Sequence, residues 1–230
     1  MREFLLASCP VLIWVIAALQ ALFTVLAFRA FSKTRSILFL LTGLVGLGLF
    51  YDALIISLGS VLQPGPLFTG LSRFRFVAHG ALIPLLFPIC AYALNFRKPW
   101  RILVWVFTGI LIVLGIAEGF ATELTMQQVA GVTRYTSGDG TPGWAQAVSS
   151  ILSYGTVLPL ILAGIIVWIK QKTPHLFLSG FLMFLFSALG PATGNFDLIF
   201  FISMFGEVCM MLFFLLYARR KATADASRAG

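Results

Sequence analysis

Apolar residues fill most of the chain in long stretches, and short polar segments separate these stretches. Seven of them are close to the roughly 20 residues that a transmembrane helix needs. Their apolar residues are continuous and do not alternate with polar ones, which favours helices over the strands of a membrane barrel. The pattern predicts an all-α integral membrane protein in which residues 1–230 form a single seven-helix transmembrane domain. The predicted spans are 4–28, 36–62, 72–95, 100–120, 145–169, 174–194 and 197–218.

Three polar segments complete this prediction. The segment 122–144 is long for a connection and contains the turn sequences SGDG and TPG, which favour a lid or a short hairpin. The segment GPATGNFD at 190–197 contains Gly, Pro and Asn and predicts a tight turn between the last two helices. We expect the tail 221–230 to be disordered.

Composition and charge support the membrane class and add an orientation. Hydrophobic residues make up 60% of the chain and charged residues only 10%, against about 25% charged in soluble domains. Twelve of the sixteen Lys and Arg residues fall on one side of the predicted bundle. The positive-inside rule therefore predicts that the N-terminus lies outside and the C-terminus in the cytoplasm. We expect the membrane to be a plasma membrane or an inner membrane. Because the net charge of +8 reflects this bias, it does not indicate nucleic acid as a partner.

Two acids lie well inside predicted helices, and each needs a reason because an intramembrane charge costs about 2.5–3.5 kcal/mol. Asp52 is ten residues from the outer end of the second helix, and Glu207 is ten residues from that of the seventh. Both carboxyl groups therefore lie about 15 Å below the outer surface. We predict that they are catalytic acid–base groups, with Asp52 a neutral acid that faces a groove between helices. The structural alternative is an acid that joins helices by hydrogen bonds.

Further polar groups lie near the same depth. Arg75 and His79 are four residues apart and share one face of the third helix. Pro84 follows them and predicts a break in that helix, and Pro159 predicts a similar break in the fifth. Glycines around Asp52 either admit a neighbouring helix closely or leave a groove. The predicted substrate-binding residues are Tyr51, Arg75, His79, Glu118, Asn195 and Ser203.

Several cofactor classes do not fit the sequence. A zinc site needs about three or four ligands at suitable spacing, and the chain has only two histidines, His79 and His175. A bis-histidine haem does not fit either, because His175 lies on the predicted cytoplasmic side and His79 in the outer half of the third helix. A retinal Schiff base needs a lysine inside a helix, and every lysine here lies at a helix end. We therefore expect no metal and no cofactor.

An aromatic residue followed by an acid stands in helix two, and an acid stands in helix seven ahead of an aromatic-rich stretch that ends in paired arginines. These residues are Tyr51-Asp52 and Glu207 with Tyr217-Ala218-Arg219-Arg220. The arrangement resembles the seven-helix integral-membrane terpene cyclases of fungal meroterpenoid and indole-diterpene pathways, except that the Asp and the Glu are exchanged. The resemblance implies a carboxyl group that protonates an epoxide or alkene of a prenylated substrate, with aromatic rings stabilising the carbocation.

Three functions remain open from the sequence. The first is a membrane enzyme, a cyclase or isomerase, that uses acid–base chemistry on an isoprenoid or lipid-like substrate. The second is a proton-coupled membrane transporter, in which the same groups form a relay. The third is a receptor or a structural subunit of a membrane complex. In the first case the expected partners are membrane lipids and a hydrophobic small molecule.

Overall fold

The computed structural model describes residues 2–192 and 199–229, and this part of the chain contains helices and one β-hairpin. Six of its segments are long and apolar enough to cross a membrane, and α7 is apolar but shorter. The prediction of a helical, multi-pass membrane protein is therefore confirmed. The helices are α1 (Arg2–Thr34), α2 (Ile37–Leu58), α3 (Pro66–Leu82), α4 (Leu86–Ala93), α5 (Lys98–Ala121), α6 (Gly143–Gln171), α7 (His175–Ala192) and α8 (Ile199–Ala229).

The hairpin lies between α5 and α6, so the prediction of a lid or short hairpin in this segment is confirmed. Its strands are β1 (Leu124–Val129) and β2 (Val132–Ser137), which pair antiparallel. The turn between them has positive φ at Ala130 and Gly131, as the tightest hairpin turns require. The N–H of Thr133 donates a hydrogen bond of 2.9 Å to the carbonyl of Gly59. The hairpin therefore covers the C-terminal end of α2, and we call this the hairpin end of the bundle.

Pro84 divides one membrane-length segment into α3 and α4. A 3-10 turn at Ile83–Leu85 joins the two helices, because a proline lacks the N–H that would continue the helical pattern. This break was predicted. The predicted break at Pro159 was wrong, since α6 continues through that residue.

Glycines allow close packing between helices of the bundle. A Cβ atom on Gly80 in α3 would overlap the backbone of Gly115 in α5, and a Cβ on Gly115 would overlap that of Gly80. Around Asp52, a Cβ on Gly48 would meet the side chain of Leu82. Of the two alternatives for the glycines of α2, close approach by neighbours is therefore the one observed there.

The chain end differs from its prediction. Residues 221–229 continue α8 to Ala229 and do not form a disordered tail. Lys221 explains part of this order, because its Nζ lies 2.9 Å from Asn95 Oδ1 and 3.1 Å from Asp225 Oδ1. The second contact is an ion pair four residues along the helix, a spacing that stabilises helices. Most of the predicted turn at 190–197 lies outside the described residues.

Candidate functional site

Arg75 and Asp52 form an ion pair between α3 and α2. Nη1 of Arg75 lies 3.5 Å from Oδ1 of Asp52, and Nη2 donates a hydrogen bond of 2.7 Å to the carbonyl of Tyr135 in β2. The guanidinium is buried and lies 4.9 Å from the centre of the Phe76 ring. Asp52 therefore lies beside a guanidinium, whereas its apolar sequence context predicted a neutral acid facing a groove between helices.

A small polar cavity surrounds this pair, and we call it the polar compartment. It has a volume of about 170 Å³ and is built from α2, α3, α5 and α6. The structure thus brings together four of the residues that the sequence singled out, which come from three different helices. The lining residues are Asp52, Arg75, Phe76, His79, Glu118, Ser149, Leu152 and Ser153.

Glu118 is more deeply placed than its sequence position suggested. The sequence puts it near the end of its helix, whereas its side chain is buried and accepts a hydrogen bond of 3.0 Å from Thr122 Oγ1. Near this end of α5, Arg73 donates hydrogen bonds to the carbonyls of Gly119, Phe120 and Thr122. These carbonyls belong to the end of α5, where helical partners are lacking.

A second and larger cavity contains Glu207, and we call it the apolar compartment. Its volume is about 890 Å³, and most of its walls are apolar side chains of α2, α6, α7 and α8. Glu207 is only 8% exposed, and its Oε2 has no hydrogen-bond partner within residues 2–192 and 199–229. Ser203 lines the same cavity one helical turn before Glu207, and its hydroxyl donates a hydrogen bond to the carbonyl of Phe200.

The two compartments adjoin. His79, Leu152 and Ser153 line both of them, so Asp52 and Glu207 belong to neighbouring parts of one site. Between α6 and α7 the wall of the apolar compartment contains side chains that are also exposed on the outside of the bundle. On α6, Tyr154 is 67% exposed and Leu158 is 51% exposed, and on α7 Phe184 is 44% exposed. The apolar compartment therefore faces the side of the bundle, between α6 and α7, and not one of its two ends.

The hairpin closes the polar side of the site. Besides the Tyr135 carbonyl, it contributes Arg134, whose guanidinium lies 4.1 Å from the centre of the Phe200 ring in α8. Gln127 on the paired strand accepts two hydrogen bonds from Arg134, of 3.0 and 2.7 Å. Burial lowers the pKa of Arg134 to about 10, and the nearby charge of Arg75 acts in the same direction. The sequence predicted a lid here without identifying Arg134.

One predicted binding residue does not contribute to the described site, and for another the structure gives no placement. Tyr51 lines neither compartment, because its hydroxyl donates to the carbonyl of Leu71 and its ring packs edge-on against Phe74. Asn195 lies outside the described residues.

Helix α6 supplies lining residues that the sequence analysis missed. Ser149 and Ser153 face the polar compartment, and Ser153 and Thr156 face the apolar one. Their spacing of four and three residues was the available signal, because it places all three hydroxyl groups on one helical face.

Comparison with known proteins adds no family to these observations. No protein-family model matches the chain, and no curated protein matches its sequence. The resemblance to membrane terpene cyclases is therefore neither supported nor contradicted, and the residues of the site carry the functional argument.

Proposed function

We propose that this protein is a membrane enzyme that uses intramembrane carboxyl groups for acid–base chemistry on an isoprenoid or other lipid-like substrate. One observation carries the proposal. The buried carboxyl group of Glu207, with one oxygen unpartnered in the described part of the chain, lines a large and mostly apolar cavity. An unpaired charge is costly to bury, so a carboxyl group in such surroundings is favoured in its protonated form and can donate that proton.

The shape of the site supports an amphiphilic substrate. The apolar compartment falls within the range of roughly 300–1,000 Å³ that is typical of small-molecule sites, and it faces outward between two apolar helices. The polar compartment next to it offers the Asp52–Arg75 pair, Glu118 and two serine hydroxyl groups. In our proposal the isoprenoid chain occupies the apolar compartment, and a polar end of the same molecule occupies the polar one.

The proposed reaction is an isomerisation or cyclisation without a change in oxidation state. Glu207 transfers its proton to an alkene carbon or an epoxide oxygen, and a carbocation forms on the substrate. In a cyclisation an alkene of the same molecule attacks this cation, which forms a C–C bond and moves the positive charge to another carbon. In either reaction a carbon next to the cationic centre then loses a proton to the Asp52 carboxylate, and the C–H electron pair forms an alkene that neutralises the cation. His79 lines both compartments and is the group that we expect to assist the return of this proton to Glu207.

We also propose an orientation for the bundle. All seven apolar segments cross the membrane, α7 included, and the hairpin end lies outside. The supporting observation is that the basic loops and the basic end of α8 lie at the end of α2 opposite the hairpin. Such clusters are typical of cytoplasmic loops.

The proposal can be tested by comparing lipid extracts of cells that express the wild-type protein or the variant Glu207→Gln. We expect the wild-type extract to contain an isoprenoid product, isobaric with its precursor but with a different retention time, that the variant lacks. Asp139→Asn is the matched control, because Asp139 is exposed in a turn and no hydrogen bond to its side chain is found within the described chain.

Identical extracts from all three proteins would refute the enzyme proposal. In that case the same variants in liposomes would test the transporter. Proton flux that follows an imposed substrate gradient and disappears in Glu207→Gln would assign the site to transport.

A further inference from the structure

A second pair of cavities lies at the end of the bundle opposite the hairpin. Their volumes are about 370 and 260 Å³, and they share Asn95, Lys221 and Asp225. We call the two together the basic groove. Its polar lining residues are Ser36, Tyr92, Asn95, Arg101, Lys170, Gln171, Lys172, Thr173, Tyr217, Arg220, Lys221 and Asp225.

The groove has a large excess of positive charge. Five of its lining side chains are Lys or Arg and one, Asp225, is acidic. The carboxylate of Asp225 lies 3.1 Å from Nζ of Lys221, so it compensates that cation. Four cationic side chains therefore face the groove without a carboxylate partner among the described residues.

The hydrogen bonding of these four cations leaves donors free. The structure shows no side-chain hydrogen bond from Lys170, Lys172 or Arg101 to any other described residue, and Arg101 only lies 5.3 Å from the centre of the Tyr92 ring. Arg220 makes one long hydrogen bond of 3.3 Å to the carbonyl of Lys172. A ligand with several acceptor oxygens would satisfy donors that the described residues leave unpaired.

The base of the groove is fixed by hydrogen bonds between three helices. Nε2 of Gln171 donates a hydrogen bond of 2.8 Å to the carbonyl of Ala93, and the buried Tyr217 hydroxyl donates a hydrogen bond of 3.2 Å to Oε1 of Gln171. These contacts join the ends of α4 and α6 to α8. The helix segments that carry Lys170 and Arg220 are therefore fixed around a preformed cavity, which distinguishes these cations from basic side chains that extend separately toward lipid headgroups.

We propose that the basic groove binds a phosphate-bearing anion. The phosphate belongs either to an anionic membrane lipid or to a soluble phosphorylated molecule, and both present the same charged oxygens. This site is independent of the acid–base function proposed for Asp52 and Glu207, since none of its lining residues contributes to either compartment.

The test uses the full chain in detergent and native mass spectrometry. Phosphatidylglycerol and pyrophosphate are the two phosphate probes, and phosphatidylcholine is the neutral lipid reference. The groove variant is Lys170→Gln/Lys172→Gln, whose two lysines are exposed, so their removal leaves the core intact. Its control is Arg29→Gln/Lys33→Gln, which removes the same charge from exposed residues at the same end but outside the groove.

We expect at least one phosphate probe to bind the wild-type protein. Its affinity for the groove variant should be about tenfold lower, and its affinity for the control variant should be within about twofold of that for wild type. Preference for phosphatidylglycerol over phosphatidylcholine would identify a lipid as the source of the phosphate, and binding of pyrophosphate alone would identify a soluble ligand. Equal losses in the groove and control variants would overturn the proposal, because they would reveal only general surface attraction. So would the absence of binding by both phosphate probes.

Discussion

Asp52 and Glu207 are two carboxyl groups in one site whose immediate surroundings differ. Asp52 has a guanidinium 3.5 Å away, and this guanidinium is itself held by a carbonyl of the hairpin. Glu207 has mostly apolar neighbours in its cavity and no partner for Oε2 in the described chain. Two carboxyl groups in unlike environments can take opposite roles, one donating and one accepting a proton. This difference is the basis on which we propose Glu207 as the proton donor and Asp52 as the acceptor.

The first prediction concerns activity. Glu207→Gln keeps the shape of the side chain and removes the acidic proton, so we expect turnover of the proposed substrate to fall by about 10²-fold or more. The rate of product formation in nanodiscs is the measurement. A rate within about twofold of wild type would rule out Glu207 as the acid.

The second prediction concerns stability. Asp52→Asn leaves Arg75 buried without its carboxylate, and breaking a buried pair in this way costs about 3 kcal/mol or more. We expect a clearly lower midpoint of thermal unfolding in detergent for this variant than for Glu207→Gln. The double variant Asp52→Asn/Arg75→Met should recover part of the loss, since it removes the uncompensated charge as well. Equal midpoints for Asp52→Asn and wild type would contradict a stabilising ion pair.

Sequence reasoning could identify the two acids because an ionisable residue in an apolar run stands out. It could not show that Arg75 pairs with Asp52, because the rotation of α3 against α2 depends on packing that involves residues such as Leu82 and Gly48. Tyr51 shows the same limit. Being next to Asp52 in sequence places its side chain about 100° around the helix, and there it contacts α3 outside the cavities.

At the level of elements, the hairpin is attached to three different helices. Thr133 bonds to the end of α2, the Tyr135 carbonyl bonds to Arg75 in α3, and Arg134 lies over Phe200 in α8. The Tyr135 hydroxyl adds a bond of 2.9 Å with Thr69. The hairpin is therefore part of the structure of the site, because it orients the arginine that pairs with Asp52.

The third prediction tests this attachment. A Cβ on Gly59 would overlap the carbonyl of Thr133, while the φ of −65° at Gly59 suits alanine, so Gly59→Ala acts mainly through this contact. We expect a loss of about 1–3 kcal/mol in stability and faster tryptic cleavage after Arg134. Gly70→Ala is the matched control, since a Cβ there meets nothing within 4 Å and alanine favours the helix. Equal cleavage rates in the two variants would show that the hairpin does not depend on this contact.

Most elements could be predicted because their causes are local. The long apolar runs, the turn residues of the hairpin and Pro84 each indicate their structure directly. Pro159 shows that the same residue type can lie within a continuous helix, so the effect of a proline also depends on the packing around it. The order of residues 221–229 depends in part on a tertiary contact, that of Lys221 with Asn95, which sequence periodicity does not contain.

At the level of the whole molecule, the two ends of the bundle have different chemical characters. The hairpin end carries the acids and the two compartments, and the opposite end carries the basic groove. The membrane class and the division of charge could be predicted from composition and order along the chain. The cavities could not, because each is formed by side chains from two or more helices that are distant in sequence.

The fourth prediction concerns orientation. In a variant without its three native cysteines, we expect Asp139→Cys to react with a membrane-impermeant maleimide on intact cells and Thr223→Cys to react only after permeabilisation. Both positions are exposed, one in the turn that follows the hairpin and one near the end of α8. The opposite labelling pattern would place the hairpin in the cytoplasm.

The outward-facing wall between α6 and α7 has a kinetic consequence for the proposed enzyme. A substrate that reaches Glu207 through this side arrives from the bilayer, so the concentration that governs the rate is its mole fraction among the lipids. Adding empty lipid at constant total substrate would then slow the reaction by surface dilution, although nothing in the aqueous phase has changed. For such a protein, an apparent KM in molar units describes the amount of membrane in the assay as much as it describes the enzyme.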